Sequence, residues 1–486
     1  MTIRRIRGVR TQPSFGDSSP TRREGRLAMR FFRSCVLFVA ATASLMAGGS
    51  LAVSGGAPAG ASPAGITVNC PADNLQVAIY SAAPGSTLLV NGICTGNFYI
   101  NKNLTLSGPA TLDGGGGPNQ YGSTLNVAAG NVVLNNLVVQ DGVGIFNIGG
   151  GIWNSSQLTL NHSTVTHNTT GQAGGVFNMG QLTLNNSSVS DNTATDGTGG
   201  IFNCGGNPGF ESFGLCTGSP SLTLNHSTVS NNVGAVFDGG GIDNDLQAAL
   251  TLNFSTVSGN TTNENGGGIE NLGTMTLIGS TVSGNTAGGN GAGIENDGTA
   301  TLNLSTLSGN TTVNSNGGGI ENRGTATLNL STVSGNAGGS GGGIQNNGTA
   351  TLNVSMVSNN SSTGGPEFFG GGGGLSNGLT NTGSTTLNYS IVRANSAAWL
   401  GGGIFAGGGP MQINHCIVTG NSAYADGGGL LAWNGPTTVT NSAFSNNFDQ
   451  GVFIPDSPRG VAVAPANFLG PGSNNPTFTT THSTYN

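Results

Sequence analysis

Apolar and polar residues alternate along this chain in short runs, and the runs recur. In "GGGIENRGTATLNLSTVSGN", from Gly317 to Asn336, three of them stand at fixed phase: "GGGIEN", "TATLNLS" and "STVSGN". "GAGIENDGTATLNLSTLSGN" precedes this stretch and "GGGIQNNGTATLNVSMVSNN" follows it. Runs of about four to six residues with period two are strands, too short for ordinary helices. Aligned on the second apolar residue of the T-L-N segment, the copies form one series. It runs Leu106, Leu134, Leu160, Leu184, Leu224, Leu252, Leu277, Leu302, Leu328, Leu352, Leu387, Ile413 and Val439. Most steps are 24 to 28 residues, and the two longer ones hold the insertions "CGGNPGFESFGLCTGSPS" and "GGPEFFGGGGGLSNGLTNTG". Three strands per repeat describe one turn of an all-β parallel solenoid, here of 13 coils.

Each residue type then has a place. Ile320, Leu328 and Val333 point inward and stack on their equivalents one coil away. The glycines before each Ile permit a tight corner. Asn recurs in two columns, one from Asn168 to Asn447 and one from Asn154 to Asn346. Stacked amides can hydrogen-bond from coil to coil as an asparagine ladder. "PADNLQVAIYSAAPGSTLLV" offers a short helix near Asp73–Ser81 that would cap the N-terminal end.

Composition excludes some classes. Of the 486 residues only 7% are charged, and 88 are Gly without a G-X-Y period, which argues against collagen and against a charge-rich disordered chain. Nine of the 13 Lys and Arg residues precede residue 34, leaving Lys102, Arg323, Arg393 and Arg459 beyond it. So acidic a body cannot neutralise a row of phosphates, so nucleic acid is not an expected partner. "MRFFRS", an apolar run and Ala59-Gly60-Ala61 form a secretory signal pattern from Met29, which predicts a secreted or cell-surface protein without a membrane span in the mature chain. The expected division is residues 1–61 for extension and signal, 62–85 for the cap, 86–447 for the solenoid and 448–486 for a tail or partial cap. Export permits disulfides, and Cys70 with Cys94 and Cys204 with Cys216 are the simplest pairs. Cys416 is left over where other copies carry Ser.

"GG[GA]I" followed by [V/L/F]-x-x-N, as in Val257–Asn260, Leu307–Asn310, Val333–Asn336 and Phe444–Asn447, resembles the repeats of chlamydial-type polymorphic outer-membrane proteins. More broadly the chain resembles bacterial right-handed parallel β-helix proteins of the pectin-lyase-like superfamily. The resemblance implies a right-handed coil and leaves the activity open, since such folds host lyases, hydrolases and adhesins.

Chemistry is sparse. The family motifs of polysaccharide lyases and galacturonases are absent, and no strong pair of ionisable groups marks an acid–base site, so no catalytic residue is assigned. His162, His226 and His415 share one phase, never on adjacent coils, and read as turn substitutions. The position after each inward Ile should face outward. It runs Trp153, Phe177, Phe202, Asp243, Glu270, Glu295, Glu321, Gln345, Ser376, Phe405, Leu431. Its aromatic part, with Phe210 and Phe213 in the first insertion, is either a stabilising stack or a platform for sugar rings. Its acidic part, Asp243, Glu270, Glu295 and Glu321, is expected to be exposed. It is tolerable there without a cofactor, or could recruit Ca²⁺, which takes six to eight oxygens. The leading expectation is a non-catalytic binding solenoid, adhesin-like, facing a glycan or cell-surface ligand. The alternatives are a lyase or hydrolase with an unrecognised site, and a structural rod.

Overall fold

Period-two alternation in a charge-poor repeat dictates a strand that buries one face and stacks its other side chains on like neighbours, and the described coils do this. The computed structural model describes residues 65–485 apart from 116–121, 145–147, 207–215, 217, 236–238, 314, 366–370, 379–382, 451–460 and 464–477. The signal pattern, Phe210 and Phe213 lie outside the described residues.

One coil serves for all. Thr299–Asn303 lies on a first face, Thr306–Ser308 on a second, and Ile320–Asn322 on a third. Each pairs in parallel with its copy in the next coil: Leu302 with Leu328, Leu307 with Val333, Ile320 with Ile344. The third face is a 14-stranded sheet. The other two belong to one 28-stranded sheet, because the long early strands Ser86–Thr95, Leu104–Asp113 and Asn131–Gln140 run around the corner between them. A fourth ladder, absent from the sequence reading, pairs two-residue strands such as Thr261–Thr262 and Thr286–Ala287. Parallel pairing begins at Ile66–Asn69 and includes Val461–Val463 and Phe478–Thr481 near the other end. The fold is a parallel β-solenoid of about 13 turns.

The interior is one continuous aliphatic column from Val68 to Val461. Leu75 and Ile79, four residues apart on the helix Leu75–Ser81, join it. Asn74 caps that helix by accepting from the Val77 amide, and Lys102 Nζ donates to the Tyr80 and Ala82 carbonyls at its far end. Among the described residues no helix is long and apolar enough to cross a membrane.

Polar columns hold the corners. Asn310 Nδ2 donates to Asn336 Oδ1 at 2.9 Å and Asn296 Nδ2 to Asn322 Oδ1 at 2.7 Å, one step in each buried asparagine ladder. The second ladder extends one coil beyond the expected range, to Asn377. A third ladder, overlooked in the sequence, runs on the outside of the first face, where Asn329 Nδ2 donates to Asn303 Oδ1 at 2.9 Å. Its bonds point toward lower-numbered coils, whereas those of the buried ladders point toward higher-numbered ones. A serine column completes the set: the Ser305 amide donates to Ser331 Oγ, which donates to the Leu302 carbonyl. Cys416 occupies this column, accepting from the Ser390 amide, and burial raises its thiol pKa. The structure pairs Cys70 with Cys94 and Cys204 with Cys216, at Cα separations of 5.0 and 5.4 Å.

Candidate functional site

The row that follows each inward Ile departs from expectation. Its members are in register, Asp243 beside Glu270, Glu270 beside Glu295, Glu295 beside Glu321. They point away from the aliphatic column, yet they are not on the surface: Asp243, Glu270, Glu295 and Glu321 are 3, 4, 2 and 2% exposed. The cause is the glycine turn. Gly291 takes φ +62°, and a Cβ built there would sit 2.7 Å from Glu295 Cα, so the turn's backbone lies directly against the outward residue. The exposed acidic row is thus corrected to a buried one.

Burial changes the energetics. Carboxylates about 4.8 Å apart repel by about 0.9 kcal/mol in water but by about 3.5 kcal/mol at an effective dielectric of 20. Arg323 answers part of this. Its Nη1 bonds Glu295 Oε1 and lies 3.3 Å from Asp297 Oδ1, and its Nε lies 3.7 Å from Glu321 Oε1. Burial lowers the guanidinium pKa, but the three acids outweigh it and leave Arg323 above its ordinary value. Glu321 also accepts from Asn347 Nδ2 at 2.8 Å. Burial nonetheless dominates and, with Glu295 adding to it against Arg323, pushes the Glu321 carboxyl up to about 8. Calcium takes six to eight oxygens, and among the described residues no three His, Cys, Asp or Glu side chains converge as metal ligands.

The aromatic part of the row is also covered. Phe177 and Phe202 are buried in a small outer core with Ile148, Ala173 and the Cys204–Cys216 disulfide, and Trp153 packs half-buried at its margin. Trp153 and Phe177 are tilted at 5.1 Å, Phe177 and Phe202 edge-on at 5.6 Å. Phe177 and Phe202 are 2 and 1% exposed, so neither of these two rings offers an open face. A matching outer core holds Leu400, Phe405, Ala425 and Leu431.

The open surface lies on the first face. Thr159, Thr183, Thr223, Thr251, Thr276, Thr301, Thr327, Thr351 and Thr386 stand in register on nine successive coils. That column is half-buried, and an exposed one beside it carries Thr274, Thr299, Thr325 and Thr349. The outer asparagine ladder forms a third. Between Gln157 and Thr440 no strand of this face contains a charged residue.

An apolar ridge borders this net. Immediately after the outer ladder, Phe254, Leu304, Leu330, Val354 and Tyr389 take φ near +50° and are more than half exposed. Left-handed backbone is unfavourable for such side chains, for a β-branched one most of all. His162, His226 and His415 are in the same column, so they are turn residues. His226 stacks on Phe254 at 5.4 Å and His415 on Tyr389 at 4.7 Å. A groove at the early end of this corner is lined by Ile93, Pro109, Leu137 and His162, and His162 is its one titratable residue.

The sequence leaves the Thr positions free to face a partner, but it singles out neither their net nor the ridge as a site. The signal was present in the T-A-T-L-N-L/V spelling, where two threonines flank a small inward Ala300, Ala326 or Ala350 and an apolar residue follows the Asn.

No protein-family model matches the chain, and neither a curated protein nor a solved structure matches it. The fold therefore rests on the coil geometry itself.

Proposed function

We propose that this chain is an exported, non-catalytic β-helix, right-handed and capped by its N-terminal helix, whose first face is an adhesin-like binding surface for an uncharged ligand of repeating structure. The observation that carries the reading is the uncharged net of in-register threonines on nine successive coils. Threonine is stiff at χ1, and the outer amides are already bonded to one another, so little side-chain freedom is lost on contact. Export is supported by the signal pattern from Met29 and by the two disulfides. The kinship with pectin-lyase-like and polymorphic outer-membrane repeats is supported by the GG[GA]I motif. Against catalysis, Glu295 and Glu321, which converge on Arg323, lie beneath the glycine turns.

The test is adsorption of the purified chain to neutral solids (cellulose, chitin, ice) and to charged ones (hydroxyapatite, heparin beads). Retention on a neutral solid that is lost in Thr327→Lys supports the reading. Retention on charged solids alone, or retention indifferent to Thr327→Lys, overturns it, as would release of sugar products from a polysaccharide panel.

A further inference from the structure

Of the neutral repeating ligands this face could meet, we infer that the one it fits is the surface of an ice crystal, an inference that rests on the binding-face reading above. The argument begins with periodicity. Thr299, Thr325 and Thr349 pair in register, as do Thr301, Thr327 and Thr351. Coils repeat at about 4.8 Å, and alternate residues of a strand at roughly 6.6 Å. The hydroxyls therefore form a two-dimensional net with two fixed spacings and no register shift across these coils. Hexagonal ice exposes rows of oxygen atoms at two repeat distances of this order. A soluble, flexible chain gains nothing from such regularity and loses its own freedom on binding, whereas a rigid lattice meets every coil at once.

Chemistry narrows the choice further. An ionic mineral or a charged polymer would call for counter-charges, and this face has none between Gln157 and Thr440. Sugar rings would call for open aromatic faces in the net, and the rings Phe254 and Tyr389 sit at the corner beside it. What the net offers is a hydroxyl that both donates and accepts, set beside a methyl that does not compete for water. The ridge of Leu304, Leu330 and Val354 extends the apolar share of the same surface. Hydroxyls with methyls at lattice spacing can hold water in an ordered layer continuous with ice. Many weak contacts, repeated coil after coil, then resist detachment together.

The experiment uses the full chain. Ice crystals grown in its presence are observed in a nanolitre osmometer, and partition of the protein into a slowly grown ice hemisphere is measured. The expected result is faceted crystals, a gap between freezing and melting temperatures, and enrichment in the ice. Thr327→Tyr, whose ring would stand proud of the net, should lower this activity by about tenfold, the equivalent of about 1.4 kcal/mol of contact. Ser308→Tyr on the second face should retain it, and unchanged urea midpoints for both variants separate lost binding from lost folding. Round crystals with no enrichment, from folded protein, overturn the inference. In that case, retention on cellulose or chitin keeps the binding-face reading with a polysaccharide as ligand, whereas no retention on any neutral solid overturns both. Equal ice activity in Thr327→Tyr and Ser308→Tyr also overturns it, by moving the contact off the first face.

Discussion

Glu321 stands in register with Glu295 one coil earlier, and the guanidinium of Arg323 reaches both carboxylates from the margin of the buried row. The pair fixes how stability should depend on pH. Burial holds the Glu321 pKa at about 8 against an ordinary 4.5. Between those values the folded chain keeps a proton that the unfolded chain has released. The contribution is therefore complete below about 4.5 and declines as pH rises to about 8, at about 1.4 kcal/mol per unit. Urea midpoints should fall from pH 5 to pH 8, and Glu321→Gln should remove that part of the slope. An identical slope in the variant would sink the assignment.

The glycine turns separate two effects that sequence cannot. Gly284 and Gly291 share φ +62°, but a Cβ on Gly284 meets nothing within 4 Å, while one on Gly291 lies 2.6 Å from the Ile294 carbonyl oxygen. Gly284→Ala should cost about 1 kcal/mol, the backbone term alone. Gly291→Ala should add about 1–3 kcal/mol for overpacking. Thermal unfolding of the two variants checks this, and equal losses would show that the turn yields.

The asparagine ladders should differ in the same graded way. Asn310 is fully buried, accepts from the Asn285 side chain and amide, and donates to Asn336 and the Val282 carbonyl. Asn310→Ala strands those partners away from water and should cost about 2–5 kcal/mol. Asn329 in the half-buried outer ladder has water as a substitute, so Asn329→Ala should cost about 1 kcal/mol or less. Hydrogen exchange at Asn285 and Asn303 reports each loss locally.

The corner ridge should yield a gain. Val354 holds φ +52° with its side chain 54% exposed, so it carries left-handed strain with little burial in return. Val354→Asn should stabilise the chain by about 1 kcal/mol, since Asn tolerates this conformation. A fall in melting temperature would show that the ridge contributes to packing.

What was legible in the sequence was whatever repeats with a chemical signature. Ile320, Leu328 and Val333 declared the core, and Asn322 and Asn336 declared the buried ladders. Asn303 and Asn329 recur as faithfully, but alternation places them outside, where an amide looks like ordinary surface. The burial of Glu295 was illegible for another reason. Its cover is the backbone of Gly291, and a glycine announces freedom of conformation without announcing where the chain then lies. The Thr positions read as free to face a partner but not as a net, because each Thr is unremarkable alone and the meaning resides in register.

That register has a consequence for how such a molecule changes over generations. The coil from Thr325 to Gly348 begins with the same T-A-T-L-N that begins again at Thr349, and its first-face strand pairs on both sides with the same T-A-T-L-N. Excising or duplicating that module rejoins like to like, so length can vary by whole coils while the joints stay the same. A surface built this way gains reach by copying, without any new interaction having to be invented.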